Sequence, residues 1–162
     1  MKDREIMNTI PAVTDPISVA QRLVQLTRDS GESYVSKRKI MKLTFYCYAW
    51  FLVATENKKS LFEDKPQAWA LGPVVPSAYY NWERIISVNN SDEINFHTNV
   101  DVDVLIRKVY SIYKELTPEA IVELTHTEVP WIYARKELPL GVKSFQDLSN
   151  DVIYDFYSVF LE

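Results

Sequence analysis

Apolar residues recur at three- and four-residue spacings through most of this chain, and the breaks between them coincide with helix-capping and turn chemistry. Asp15-Pro16 reads as an N-cap followed by a proline at the first helical position, and Ile17, Ala20, Leu23, Val24 and Leu26 then mark one face up to Gly31. Ser36 opens a second helix. Its first turns carry Lys37, Arg38, Lys39 and Lys42, after which residues 43–54 are apolar on every side except for Thr44 and the tyrosine hydroxyls. An all-round apolar helix is a central one, and its basic entry reads as a solvated turn, although cations at a helix N-terminus oppose the dipole and leave room for a use outside the helix. Pro76 or Ser77 opens a third helix through Ile86, ended by Asn89-Asn90-Ser91. Asn95-Phe96-His97-Thr98 alternates and predicts a short strand. Asp101 or Asp103 starts a helix reaching Leu116, Thr117-Pro118-Glu119 starts a short one to His126, and Glu128-Val129-Pro130-Trp131 restarts the chain to about Lys136. Ser149 or Asn150 caps a final helix ending at Glu162. The pattern predicts a mainly α fold, a single compact domain of six or seven helices around a central apolar helix, with room for one short β element. Residues 1–14 form a loose N-terminal arm and residues 15–162 the domain.

Between the second and third helices lies Ala68-Trp69-Ala70-Leu71-Gly72-Pro73-Val74-Val75-Pro76. A Trp, two prolines and one of three glycines describe a rigid corner that sets backbone path and packing, and Pro73 keeps Gly72 out of the helical region. This corner and Pro130-Trp131 are the two joints of the domain, and both tryptophans are expected in the core. At 162 residues the chain buries a sizeable core without staples. Hydrophobic content of 47% with 25% charged residues excludes a disordered chain. The single cysteine, Cys47, sits inside the apolar run and points to a reducing, cytoplasmic home. The charged N-terminus shows no continuous apolar region of a signal peptide, and the longest apolar run falls short of the ~20 residues that span a bilayer.

The candidate chemistry is poor in catalysts. Cys47 lies among Tyr46, Tyr48 and Trp50, a setting for a small core residue and not for a reactive thiolate. His97 and His126 are the two imidazoles available, so no metal is implied, and the isolated glycines at 31, 72 and 141 exclude the common phosphate loops. No cofactor is expected. His126-Thr127-Glu128 places an acid beside a base, but near neighbours on a helix do not face one another, and capping or hydrogen bonding at the corner is the expected role. Net charge is −4, divided into +3 over residues 1–81 and −7 over residues 82–162. With a pI near 5.3 the chain lacks the basic stripe of a nucleic-acid binder. Tyr79, Tyr80 and Trp82 cannot all point inward from one helix, because successive residues lie ~100° apart. Exposed Tyr and Trp are frequent interface anchors.

The motifs together resemble a known family. Residues 42–52 (Lys-Leu-Thr-Phe-Tyr-Cys-Tyr-Ala-Trp-Phe-Leu, with Trp50), Leu61-Phe62, Ala68-Trp69 with Gly72-Pro73-Val74-Val75-Pro76, and Leu124-Thr125-His126 with Pro130-Trp131 are similar to the Panacea domain of phage-associated GepA-like proteins and SocA-like antitoxins, over about residues 17–137. Cys47-Tyr48 and Ala70-Leu71 depart from the usual residues of that family. The resemblance implies an antitoxin of a bacterial or prophage toxin–antitoxin module that neutralises a toxin, including alarmone-synthetase-type toxins, by direct binding and without catalysis. SocA-like members imply an alternative, a protease adaptor delivering a toxin for degradation. A phage regulatory DNA-binding protein, using residues 37–42, is another. The family offers no active-site residues to carry over, so the toxin-binding candidates are Tyr79, Tyr80 and Trp82, with the acidic C-terminal half steering a basic toxin.

Overall fold

The computed structural model describes residues 12–96 and 101–161. Helix α1 (Pro16–Asp29) begins as its sequence dictates, with Asp15 Oδ1 accepting from Ser18 N at 2.8 Å and Pro16 in the first turn. Its buried stripe is Val19, Ala20, Leu23 and Val24. Helix α2 (Lys37–Ala54) is capped by the Ser36 hydroxyl, which accepts from Lys39 N. It runs through the middle of the molecule, with α1, α5 (Val102–Tyr113), α6 (Pro118–His126) and α8 (Asn150–Ser158) packed round it. Apolar side chains on every face of α2 demand partners on every face, so the other helices form a sheath around it. Thr44 escapes the desolvation cost of a buried hydroxyl by donating back to Ile40 O at 2.8 Å.

The peripheral helices follow from local capping. Asp101 accepts from Val104 N at the start of α5, Thr117 from Ala120 N at α6, and Ser149 from Val152 N at α8. Between α6 and α8 lies α7 (Val129–Arg135), and a 3-10 turn, Val159–Leu161, extends α8. Ala12 to Thr14 are tied to the body, since Val13 N and Thr14 N both donate to Leu61 O. The rest of the expected N-terminal arm lies outside the described residues.

Two expectations change. The region read as one third helix is two short ones, α3 (Pro76–Tyr80) and α4 (Trp82–Ile86). Asn81 breaks them by adopting φ −113° and ψ 28° and donating its side-chain amide to Ser77 O at 2.7 Å, the local competition with the backbone that lowers the helix propensity of Asn. The β element is also elsewhere. Asn95 and Phe96 are not in a strand, and His97 and Thr98 lie outside the described residues. The strands are β1 (Gln67–Trp69) and β2 (Gly72–Val74), an antiparallel hairpin pairing Gln67 with Val74, Ala68 with Pro73 and Trp69 with Gly72. The proline and glycine corner is therefore a hairpin, its short strands hidden from a period-two reading by their length.

Candidate functional site

The hairpin is held by side chains from three directions. Pro73 has no N–H and the strands are short, so backbone carbonyls remain for other donors. Trp131 Nε1 donates to Trp69 O at 2.8 Å, Arg135 Nη1 to Ala68 O at 3.2 Å, and Lys42 Nζ to Pro73 O at 3.1 Å. On the outer edge of β1, Ala68 N donates to Gln146 O and Leu148 N to Pro66 O. Gly72, at φ +113°, admits no substitute: a Cβ there would lie 2.5 Å from Thr125 Oγ1 and 2.8 Å from Lys42 Cε. The two tryptophan corners of the sequence are thus one assembly, with Gly72 at the start of β2 seated on Thr125 of α6 and on the Lys42 stem of α2.

Each motif residue has a place in it. Trp131 is buried, stacks on His126 at 4.2 Å between ring centroids and lies under the Arg135 guanidinium at 4.8 Å. Pro130 is buried in the first turn of α7, and Pro76 starts α3. Burial, aided by the Lys42 and Arg135 cations, holds the His126 imidazole below its usual range, against backbone hydrogen bonds at Leu71 and Ala70 that raise it. Trp69 is only half-buried, contrary to the expectation of a core ring, because it lies at the edge of the hairpin with Tyr79, Tyr80 and Phe145 at 4.9, 6.0 and 6.0 Å. Trp50 is half-buried and donates to Tyr113 Oη at 2.9 Å.

The three candidate anchors separate at Asn81. Tyr79 is half-buried under the Lys37 ammonium, 3.6 Å from the ring centroid, and Tyr80 is 71% exposed. Both line a cavity of about 870 Å³ together with Trp69 and Phe145. Trp82 is half-buried against the core and does not line that cavity. Lys37, Arg38, Lys42 and Lys143 are also on its wall, with Glu119. The acidic C-terminal half contributes one cation and one anion here, so its charge is not centred on these rings.

The sequence reading missed Lys42. It was assigned to a solvated turn, yet it is 2% exposed, and burial together with neighbouring Arg38 brings its ammonium down to about 7. Its signal was position, since Lys42 lies between Met41 and Leu43 where the apolar character already closes round the helix. Glu128 is the N-cap residue of α7 but makes no side-chain cap there, contrary to the expected capping; its carboxylate turns into the core, accepting from Tyr46 Oη at 2.6 Å and Tyr157 Oη at 2.9 Å. Burial holds that carboxyl above its usual range while the two hydroxyls oppose the shift. Cys47 is fully buried and burial pushes its thiol up.

A family model, the SocA-like antitoxin Panacea domain, matches residues 40–132, more than half of the chain. The chain belongs to that antitoxin family. No curated protein and no solved structure gives a significant match. Members of an antitoxin family have toxin partners, and the Panacea span in this chain holds Lys42, the hairpin, Tyr79, Tyr80, Thr125, His126 and Trp131. Tyr34, Lys37, Arg38, Lys143 and Phe145, also on the cavity wall, lie outside it. No helix among the described residues is long and apolar enough to cross a membrane.

Proposed function

We propose that this Panacea-domain protein neutralises its toxin in the cytoplasm by direct, non-catalytic binding through the ring cluster beside the hairpin, with Tyr80 as the central anchor and Tyr79 beneath it. The observation that carries the reading is the 71% exposure of Tyr80 on a support of packed rings, Tyr79 at 5.3 Å and Trp69 at 6.0 Å. A large amphipathic side chain held rigid before binding loses little entropy on docking, which is the property of an interface hot spot. Trp82 is withdrawn as an anchor because it packs inward on α4. The DNA-binding reading loses its motivating cluster. Lys42 is buried, Lys39 Nζ donates to Lys114 O at 2.6 Å and Lys37 lies over Tyr79, so these cations do not form the outward basic stripe that tracks a nucleic-acid backbone.

Co-expression with the product of the adjacent gene tests the proposal. Wild-type chain restores growth, and Tyr80→Ala at equal soluble level loses rescue and weakens pull-down of the toxin by about thirty-fold or more. Full rescue by Tyr80→Ala and by a Tyr79→Ala, Tyr80→Ala double variant would move the toxin surface elsewhere. Toxin that disappears in a protease-dependent way, instead of persisting in a complex, would favour the adaptor reading.

A further inference from the structure

The cavity behind the ring cluster holds chemistry that an anchor at Tyr80 does not use. Among the described residues its wall carries four cations against the single carboxylate of Glu119, in a chain of net charge −4. Ser36, Lys37 and Arg38, the cap and first turn of the 18-residue helix α2, form part of that wall. A helix N-terminus bears partial positive charge and unpaired N–H groups, so the basic first turn of α2 opposes its own dipole unless an anion sits before it. An independent observation points the same way. Lys42 lines the same cavity while 2% exposed, its ammonium donates to Pro73 O, and among the described residues no carboxylate lies within ion-pair distance of it. An ammonium has three donors, and a buried cation without a counter-charge is costly.

Flat apolar surface lies next to these charges. Tyr34, Tyr80 and Phe145 are 76, 71 and 63% exposed and line the cavity with Trp69. The volume, about 870 Å³, is on the scale of small-molecule sites. A lone carboxylate or a free phosphate would pair with the cations and leave the ring faces and most of that volume unfilled. A phosphate attached to a planar base uses both.

We propose that this cavity binds a phosphorylated ring compound of the nucleotide class, its phosphate held by the α2 N-terminus with Arg38 and Lys42 and its base against the exposed rings. The inference does not rest on toxin binding, and its test reads the ligand directly. Titration calorimetry of the purified chain at low salt uses ADP and GDP, with adenosine and inorganic phosphate as fragments. Saturable binding of at least one nucleotide is expected, at least tenfold tighter than either fragment and weakened at least tenfold by Arg38→Ala and by Lys42→Met. Arg38 is exposed and Met preserves the Lys42 stem, so the fold is retained, which circular dichroism checks. Absence of nucleotide binding at millimolar concentration, unchanged affinity in both variants, or phosphate alone binding as tightly as the nucleotides would overturn the proposal. So would binding of a glutamate-rich peptide with no nucleotide binding, which would assign the cations to a protein carboxylate.

Discussion

Two ionisable groups are buried against neighbouring turns of α2 and are treated in opposite ways. Glu128 meets Tyr46 on one turn, and Lys42 occupies the turn before it. The carboxylate is enclosed: Tyr46 and Tyr157 donate to it, Tyr113 stacks on Tyr46 at 4.0 Å between centroids, and Trp50 donates to Tyr113. The ammonium is backed by the Pro73 carbonyl and borders an open cavity. A buried group with its partners in place specifies how helices meet, whereas one that lines a cavity with donors to spare has capacity for something that comes from outside. The difference puts the closed, structural cluster on the tyrosine side of α2 and the surface proposed for recognition on the hairpin side.

The largest expected effect comes from breaking the closed side. Glu128→Ala leaves the Tyr46 and Tyr157 hydroxyls buried without their acceptor and costs roughly 3–5 kcal/mol in denaturant unfolding, while Glu128→Gln, which keeps an acceptor oxygen, costs about 1 kcal/mol. Equal losses for the two variants would show that charge, not hydrogen bonding, holds that cluster together.

The open side behaves in the reverse sense. The Lys42 ammonium titrates at about 7 when folded against an ordinary 10.5, so between those values the unfolded chain binds more protons and stability rises with pH. After burial, Arg38 on its own helix disfavours the cation, and the Lys42 ammonium in turn disfavours a charged His126 on α6. Lys42→Met is expected to raise stability at pH 6 by about 1–3 kcal/mol and to flatten the rise between pH 7 and 10. Melting curves at half-unit pH intervals check both parts. A destabilised variant with an unchanged slope would mean that Lys42 serves the hairpin through its Pro73 bond alone. The smallest effect on stability belongs to Tyr80→Ala, within about 0.5 kcal/mol of wild type because the ring is exposed, and this makes its loss of toxin binding interpretable.

Much of the helical framework was legible because its signals are local. The residues whose side chains cap α1, α2, α5, α6 and α8 are the Asp, Ser and Thr residues that the pattern indicates, and an apolar run without a polar face has to be central. The family, too, was legible from the order of its motifs. The candidate site was half legible. Ring density placed Tyr79 and Tyr80 on it, but a single helix through Ile86 wrongly kept Trp82 beside them, since the break depends on the Asn81 side chain reaching Ser77 O. Lys42 escaped because a cation near a helix start reads as solvated until the chain that covers it, strand β2 at Gly72 and Pro73, is in place.

By itself the sequence determined a mainly helical domain, its central helix, its caps and its antitoxin family. These depend on periodicity, on capping between residues three apart and on ordered motifs. Tertiary structure alone decided that the two tryptophan corners form one assembly, that Glu128 turns inward and Lys42 is buried, and that a basic cavity opens beside Tyr80. Each of those outcomes requires groups some 30 to 80 residues apart to meet, as Lys42 meets Pro73 and Tyr46 meets Glu128. Which polar groups are satisfied by such meetings, and which are left facing a cavity, is set by packing and not by any local pattern.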